Sequence, residues 1–181
     1  MSFGISFYAE HELSEVGFAH IGKNVLISRF ARIINPELTS IGDNTRIDDF
    51  SVLTGNIVIK NNVHIGTHCS LFGKSGIEIN DYSGLSSKVC IYSESDDFAG
   101  FSLVGPQVAK EYRKVKVGKV ILKQFVQLGA GTIVMPGVVA QAGSATGALT
   151  FVKDTLPEWT ISIGIPSFVL KNRSKEMLSL V

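Results

Sequence analysis

Residues 41–71 read IGDNTRIDDFSVLTGNIVIKNNVHIGTHCSL, and an aliphatic side chain falls on every sixth place: Ile41, Ile47, Leu53, Ile59, Ile65 and Leu71. The period runs back through Ile33, Ile27 and Ile21 and forward through Ile79, Leu85 and Ile91. It resumes at Leu122 and continues with Leu128, Val134, Ala140, Thr146 and Val152, weakening only at Ala140 and Thr146. The fifth place of each hexad is small or β-branched, as at Val25, Thr45, Ser51, Val63, Cys69, Val89, Val126 and Thr150. Glycine often follows the aliphatic residue, as Gly22, Gly42, Gly66, Gly129 and Gly147. A sandwich strand alternates with period two and does not produce this pattern. A solenoid does: each hexad supplies one short strand and one turn, and the aliphatic residue points inward onto its equivalent in the next coil. Three hexads close a triangular coil of about 18 residues. Glycine or Asn/Asp after the strand is expected to supply the special dihedrals of the turn. The fold class is therefore all-β, a parallel β-helix of about six coils.

Spacing stretches around Pro36 and around Gly73 and Gly76, which reads as loops bulging at corners. The ends break the pattern. Residues 1–20 form an expected N-terminal cap, with a short helix from Ser6 (its cap) to Val16, apolar at Phe7 and Leu13 and stopped by Gly17. Residues 21–160 form the solenoid, and residues 161–181 a tail ending in a short helix over Asn172–Leu180. Both caps would cover the open strand edges of the end coils. Between Ile91 and Leu122 the hexads vanish, and residues 93–118 read as an extruded functional loop, because a non-periodic stretch of that length in a compact domain is seldom a mere connection.

Composition narrows the function. Net charge is +1 with 17 basic and 16 acidic residues, scattered, which gives no basis for a nucleic-acid partner. Charged residues make up only 18%, below the roughly 25% of an average domain, so part of the surface is expected to be covered by partner subunits. No apolar run approaches the length of a membrane span, and Met1 to Ala9 does not read as a cleaved leader. The two cysteines, Cys69 and Cys90, make no disulfide framework and read as buried filler in a reducing cytoplasm.

The tail sharpens this picture. Phe151-Val-Lys-Asp-Thr-Leu-Pro157, then Gly164-Ile-Pro-Ser167 and Lys171-Asn-Arg173, resembles the closing signature of the left-handed β-helix family of hexapeptide-repeat acyltransferases. The resemblance runs over about residues 19–173. Within the family, the stretches Arg46-Ile-Asp-Asp-Phe50 and Ile91-Tyr-Ser-Glu-Ser-Asp-Asp-Phe98 are similar to acyltransferases of bacterial surface-polysaccharide pathways, such as dTDP-4-amino-4,6-dideoxyglucose acyltransferases. The resemblance implies a left-handed coil, a homotrimer with active sites between subunits, acetyl-CoA as co-substrate without a metal, and a nucleotide-sugar acceptor. It places the coenzyme along the late coils, at Gly129, Ala130, Gly147 and Ala148, with Lys153, Lys171 and Arg173 toward its phosphates and Ile165 and Pro166 against its adenine.

Acyl transfer needs the thioester held, the acceptor positioned, its proton removed and the oxyanion stabilised. Sugar O-acetyltransferases of the family place a histidine before the extruded loop. Here that neighbourhood reads Tyr92-Ser93-Glu94-Ser95-Asp96-Asp97, with no histidine. Asp96 or Asp97 takes that place, each expected to raise the other's pKa, and Asp96 is the candidate base. Tyr92, Glu94, Asp97 and Asp49 are candidate substrate contacts, with Asp48 beside them. His64, next to an inward residue and so directed outward, is the alternative base. His11 and His20 lie at the far end, and none of the four histidines has metal-site spacing. The missing histidine favours an amine acceptor, since part of an amine is already an unprotonated nucleophile near neutral pH while a hydroxyl needs a good base. An O-acetyltransferase and a non-catalytic trimeric scaffold stay open as alternatives.

Overall fold

The computed structural model describes residues 6–181, so the first five residues of the cap lie outside the described residues. The chain winds as a triangular solenoid of parallel strands. The first face stacks His20–Ile21, Thr39–Ile41, the second halves of Val52–Ile59 and Ser70–Ile79, then Val120–Leu122 and Val139–Ala140. The second stacks Leu26–Ile27, Arg46–Ile47, His64–Ile65, Gly84–Leu85, Gln127–Leu128, Ala145–Thr146 and Thr160–Ile163. The third stacks Arg32–Ile34, the first halves of the two long strands, Cys90–Tyr92, Ile133–Val134 and Phe151–Val152. The second face thus has one level more than the six coils expected, because the chain completes part of a further turn through Leu156 and Thr160.

The hexad residues meet as their period requires. Ile41, Ile59, Ile79, Leu122 and Ala140 are register partners down the first face. Ile47, Ile65, Leu85 and Leu128 are partners down the second. Leu53, Leu71, Ile91, Val134 and Val152 are partners down the third, and all of these side chains are buried. The fifth-place residues fill the corners. Their buried hydroxyls donate to carbonyls that the turns leave free: Thr45 to Lys60 O at 3.0 Å, Ser51 to Gly66 O at 2.9 Å and Ser83 to Lys123 O at 3.0 Å. Cys69 is buried in this role, its Sγ donating to Ser86 O, and burial pushes its thiol up to about 11.

The glycines after the strands serve space rather than dihedral freedom. None of Gly22, Gly42, Gly66, Gly129 or Gly147 has a positive φ; left-handed backbone falls instead on Asn24, Asn44 and Asn62 and on the bulky Phe50, Tyr82, Phe125 and Trp159. A Cβ on Gly129 would stand 2.6 Å from the carbonyl carbon and oxygen of Gly147 in the next coil. Gly129→Ala is expected to destabilise the fold by about 1–3 kcal/mol through overpacking against rigid backbone, read as a lowered denaturation midpoint; an unchanged midpoint contradicts that account.

The ends differ from expectation in detail. The N-terminal helix is shorter, Glu10–Glu15, and is capped at Ala9, whose N–H donates to Glu12 Oε2 at 2.7 Å, rather than at Ser6. Phe7 bridges to Ser28 instead of joining the helix, and Leu13 is buried against the first coil. At the other end, Phe168–Asn172 forms a strand antiparallel to Thr160–Ile163, followed by a 3-10 turn at Glu176–Leu180. The apolar and β-branched run Phe168-Val-Leu170 satisfies the free edge of the last coil with backbone hydrogen bonds, which a helix there would leave unpaired.

The interruption is an ordered arm. It leaves after Cys90–Tyr92 at the corner between the third and first faces, pairs Glu94–Asp96 antiparallel with Val115–Val117, and rejoins the solenoid at Val120. Ser93 anchors its root: its buried Oγ donates to Phe72 O and accepts from Ser75 N, each at 2.9 Å. The outer part exposes Phe98 (86%) and Phe101 (80%).

Candidate functional site

Two groups of polar residues stand out, at different corners of the triangle. The first is the arm. Asp96, paired with Val115, accepts from Arg113 Nη2 at 2.9 Å on Oδ1 and from the Gly105 N–H at 3.2 Å on Oδ2. The Arg113 hydrogen bond holds its carboxyl below the usual carboxylate range. This corrects the expected upward shift. Asp97 turns away and accepts from the N–H groups of Ala99 (2.9 Å) and Phe101 (3.0 Å), so it caps its own turn instead of crowding Asp96. Glu94 accepts from Ser75 Oγ at 2.7 Å and Lys74 Nζ at 3.0 Å; burial opposes its ionisation, but these partners bring its pKa down. Tyr92 stacks on Phe72, ring centroids 5.1 Å apart, and burial raises its hydroxyl's pKa. A hollow in the arm is lined by Phe101, Leu103, Tyr112 and Arg113 among others.

The second group lies along the second face and its corner with the third. His64 points outward, 56% exposed, and its Nε2 meets Asp48 Oδ2 at 2.8 Å. Asp48 also accepts from Arg46 Nε at 2.6 Å. Burial works against the Asp48 carboxylate, yet hydrogen bonds from His64 and Arg46 bring its pKa down. Asp49 accepts from the buried Ser28 hydroxyl, which ties it into the corner. Just below, a groove is lined by Asp48, His64, Gly66, Thr67, Ser86 and Gln127 among others. Gly129 and Gly147 continue the same corner column into the later coils, with Ala130 and Ala148 exposed beside them.

The remaining coenzyme candidates divide. Lys153 is exposed and pairs with Asp154 at 3.0 Å; Lys171 is exposed on the final strand, and Ile165 and Pro166 are exposed beyond Ile163. Arg173 is turned inward, Nη1 donating to Phe125 O at 2.7 Å and Gly143 O at 3.0 Å. Desolvation lowers its pKa. Lys175, which the sequence did not single out, sits over the Trp159 ring at 5.5 Å.

The sequence also passed over Arg113 and Ser86. Nothing in the spacing links Arg113 to Asp96, because both lie in the non-periodic arm. Ser86 was legible: it holds the hexad place that is glycine at Gly66 and Gly129, where a hydroxyl opens onto the groove. Among the described residues no three His, Cys, Asp or Glu side chains gather as a metal site, and no helix is long and apolar enough to cross a membrane.

Several known proteins resemble this chain over nearly its whole length. The family model described as bacterial transferase hexapeptide (six repeats) matches residues 38–73. The dTDP-4-amino-4,6-dideoxy-D-glucose acyltransferase of Escherichia coli is 38% identical over 179 residues, covering 97% of this chain and 93% of that protein. AntD, an N-acyltransferase from Bacillus cereus solved with dTDP and 3-hydroxybutyryl-CoA, is 44% identical, covers 98% of this chain and 95% of its own, and superposes with a TM-score of 0.96. A serine variant of AntD, solved with dTDP-4-amino-4,6-dideoxyglucose and coenzyme A, matches with a TM-score of 0.95, 44% identity and coverage of 97% and 94%. An aspartate variant of AntD was solved with dTDP and coenzyme A.

Proposed function

The chain belongs to the hexapeptide-repeat acyltransferases, and from this premise we propose that it transfers an acetyl group from acetyl-CoA to the amine of a dTDP-linked 4-amino-4,6-dideoxy sugar. It is an acyl-CoA-dependent sugar acyltransferase. The observation that carries the choice of an amine is the arm: the residue presented beside its root is a carboxylate held anionic by Arg113, not an imidazole.

The proposed chemistry follows from that difference. The neutral amine attacks the thioester carbonyl, and the nitrogen of the tetrahedral intermediate becomes a strongly acidic cation. A weak base suffices to take that proton, and Asp96 has the charge for it. Collapse then breaks the C–S bond and releases coenzyme A as its thiolate, which takes up a proton. A hydroxyl acceptor would need its proton removed as the new bond forms, for which a carboxylate of lowered pKa is a poor base.

The coenzyme lies along the corner column Gly66, Ser86, Gly129 and Gly147, with Ala130 and Ala148 beside it and Lys153, Lys171 and Pro166 toward the nucleotide end. The residue types varied in AntD, a serine and an aspartate, are those this chain carries at Ser86 and Asp96. Because the arm and the column leave the triangle at different corners, a site using both is completed by a second copy, in a homotrimer. The exposed Phe98 and Phe101 and the low charged content of the chain support that assembly. The product would serve surface-polysaccharide synthesis in the cytoplasm.

A thiol-release assay tests the acceptor. With acetyl-CoA, dTDP-4-amino-4,6-dideoxyglucose is expected to react at least about a hundredfold faster than its 4-hydroxy counterpart, because a site built for one polar group rejects its replacement. Equal rates, a faster hydroxyl sugar, or no release with either sugar overturns the proposal.

A further inference from the structure

Arg113 makes only one hydrogen bond to Asp96, from Nη2, and its Nε–H is buried without a partner. A buried guanidinium serving as a structural ion pair normally spends its donors two at a time on a carboxylate or on carbonyls, because an unpaired buried N–H is costly. Here the fork is offset instead. Its backbone is fixed on both sides: the Arg113 N–H closes the Lys110–Tyr112 turn onto Lys110 O at 3.1 Å, and residue 113 bridges to Leu103. Asp96 is fixed by pairing with Val115 and by the Gly105 N–H on its other oxygen. Both side chains remain about one-fifth exposed, 21% and 23%, so the pair borders solvent on one side. The guanidinium spends one donor on one carboxylate oxygen and the Gly105 N–H takes the other, so each oxygen keeps acceptor capacity for one more donor on the solvent side.

We propose that Arg113 is a positioning residue for acyl transfer, holding the Asp96 carboxylate at the angle and in the anionic state in which it receives the proton of the acceptor amine. The inference rests on the reading of Asp96 as the base. Arg113 itself does not touch the substrate. The lowered pKa of Asp96 is consistent with this role.

The test uses the full chain with acetyl-CoA and dTDP-4-amino-4,6-dideoxyglucose. It compares Arg113→Met, Arg113→Lys, Asp96→Asn and the double variant Asp96→Asn/Arg113→Met. Arg113→Met is expected to lower kcat about a hundredfold, the size of effect that misplacing a reacting group by an ångström produces. Coenzyme A binding, followed by calorimetry, should change by less than about threefold, since the coenzyme column is elsewhere. Arg113→Lys should recover about tenfold of the loss, and added guanidinium ion should partly rescue Arg113→Met. In the Asp96→Asn background Arg113→Met should cost under about twofold, because the group it positions is gone.

Wild-type kcat in Arg113→Met overturns the inference. So does a loss that appears equally in the Asp96→Asn background, or one that neither lysine nor guanidinium relieves. If Arg113→Met does not fold, Arg113→Lys decides alone: a kcat lowered about threefold to tenfold with unchanged coenzyme binding supports the role, and an unchanged kcat refutes it. An active Asp96→Asn would instead sink the reading of Asp96, whereas an inactive Asp96→Asn beside an active Arg113→Met sinks only the role of Arg113.

Discussion

Asp96→Asn is expected to lower kcat/KM by about 10²- to 10⁴-fold, the range that general-base catalysis supplies, while leaving coenzyme A binding within about threefold of wild type. Asparagine keeps the shape and still accepts from Arg113, but it has no charge to take the proton. His64→Ala is expected to cost less than about tenfold. The His64 imidazole already spends Nε2 on Asp48, and its loss removes a contact on the second face rather than the charge on the arm. Steady-state thiol release with both variants checks this; a deep loss in His64→Ala beside a mild one in Asp96→Asn would move the base to His64. The pH profile adds a second reading. The pKa of Asp96 is depressed, so its carboxylate is anionic through the neutral range and stays so well into acid. The acid limb of kcat/KM therefore belongs to the substrate amine, and Asp96→Asn should lower the plateau without moving that limb. The same pair favours the folded state above the ordinary carboxylate pKa, and that contribution is lost as pH falls through the lowered one.

Leu71→Ala carries the largest expected effect on stability, about 2–5 kcal/mol. Leu71 is fully buried and sits mid-stack on the third face, in register with Leu53 above and Ile91 below. In a solenoid each coil is stabilised by its two neighbours, so a hollow here weakens two coil interfaces at once. For a chain of this size each kcal/mol lowers the melting temperature by roughly 2–4 °C. Leu149→Ala, at an exposed corner, is expected to stay within about 0.5 kcal/mol. Comparable melting temperatures for the two variants would contradict the stacking account.

The contrast between those two leucines also explains which parts of the fold were legible beforehand. Burial at a fixed period leaves a mark in composition, so Leu71 could be placed by counting from Ile41, and Leu149, off the count, falls outside. The arm was legible for the complementary reason: it is where counting fails. What lies inside it was not. Arg113 and Asp96 meet through a turn closed by Lys110 O and a bridge at Leu103, and no residue pattern announces either contact. The expected upward pull of Asp97 on Asp96 failed because Asp97 has its own N–H donors to satisfy. The glycines after the strands were found for the wrong reason, since close approach and left-handed dihedrals leave the same residue in a sequence. At the C-terminus the helix expected over Asn172–Leu180 is a 3-10 turn at Glu176–Leu180, while Phe168–Asn172 just before it pairs with the last coil's open edge as a strand that no periodicity marked.

The account stands or falls on which atom of the sugar receives the acyl group. The product formed from acetyl-CoA and dTDP-4-amino-4,6-dideoxyglucose, isolated and examined by NMR, shows this directly. The account predicts a single acetyl group in amide linkage to the C4 nitrogen. An acetyl ester on a ring hydroxyl, with the amine left free, would contradict it.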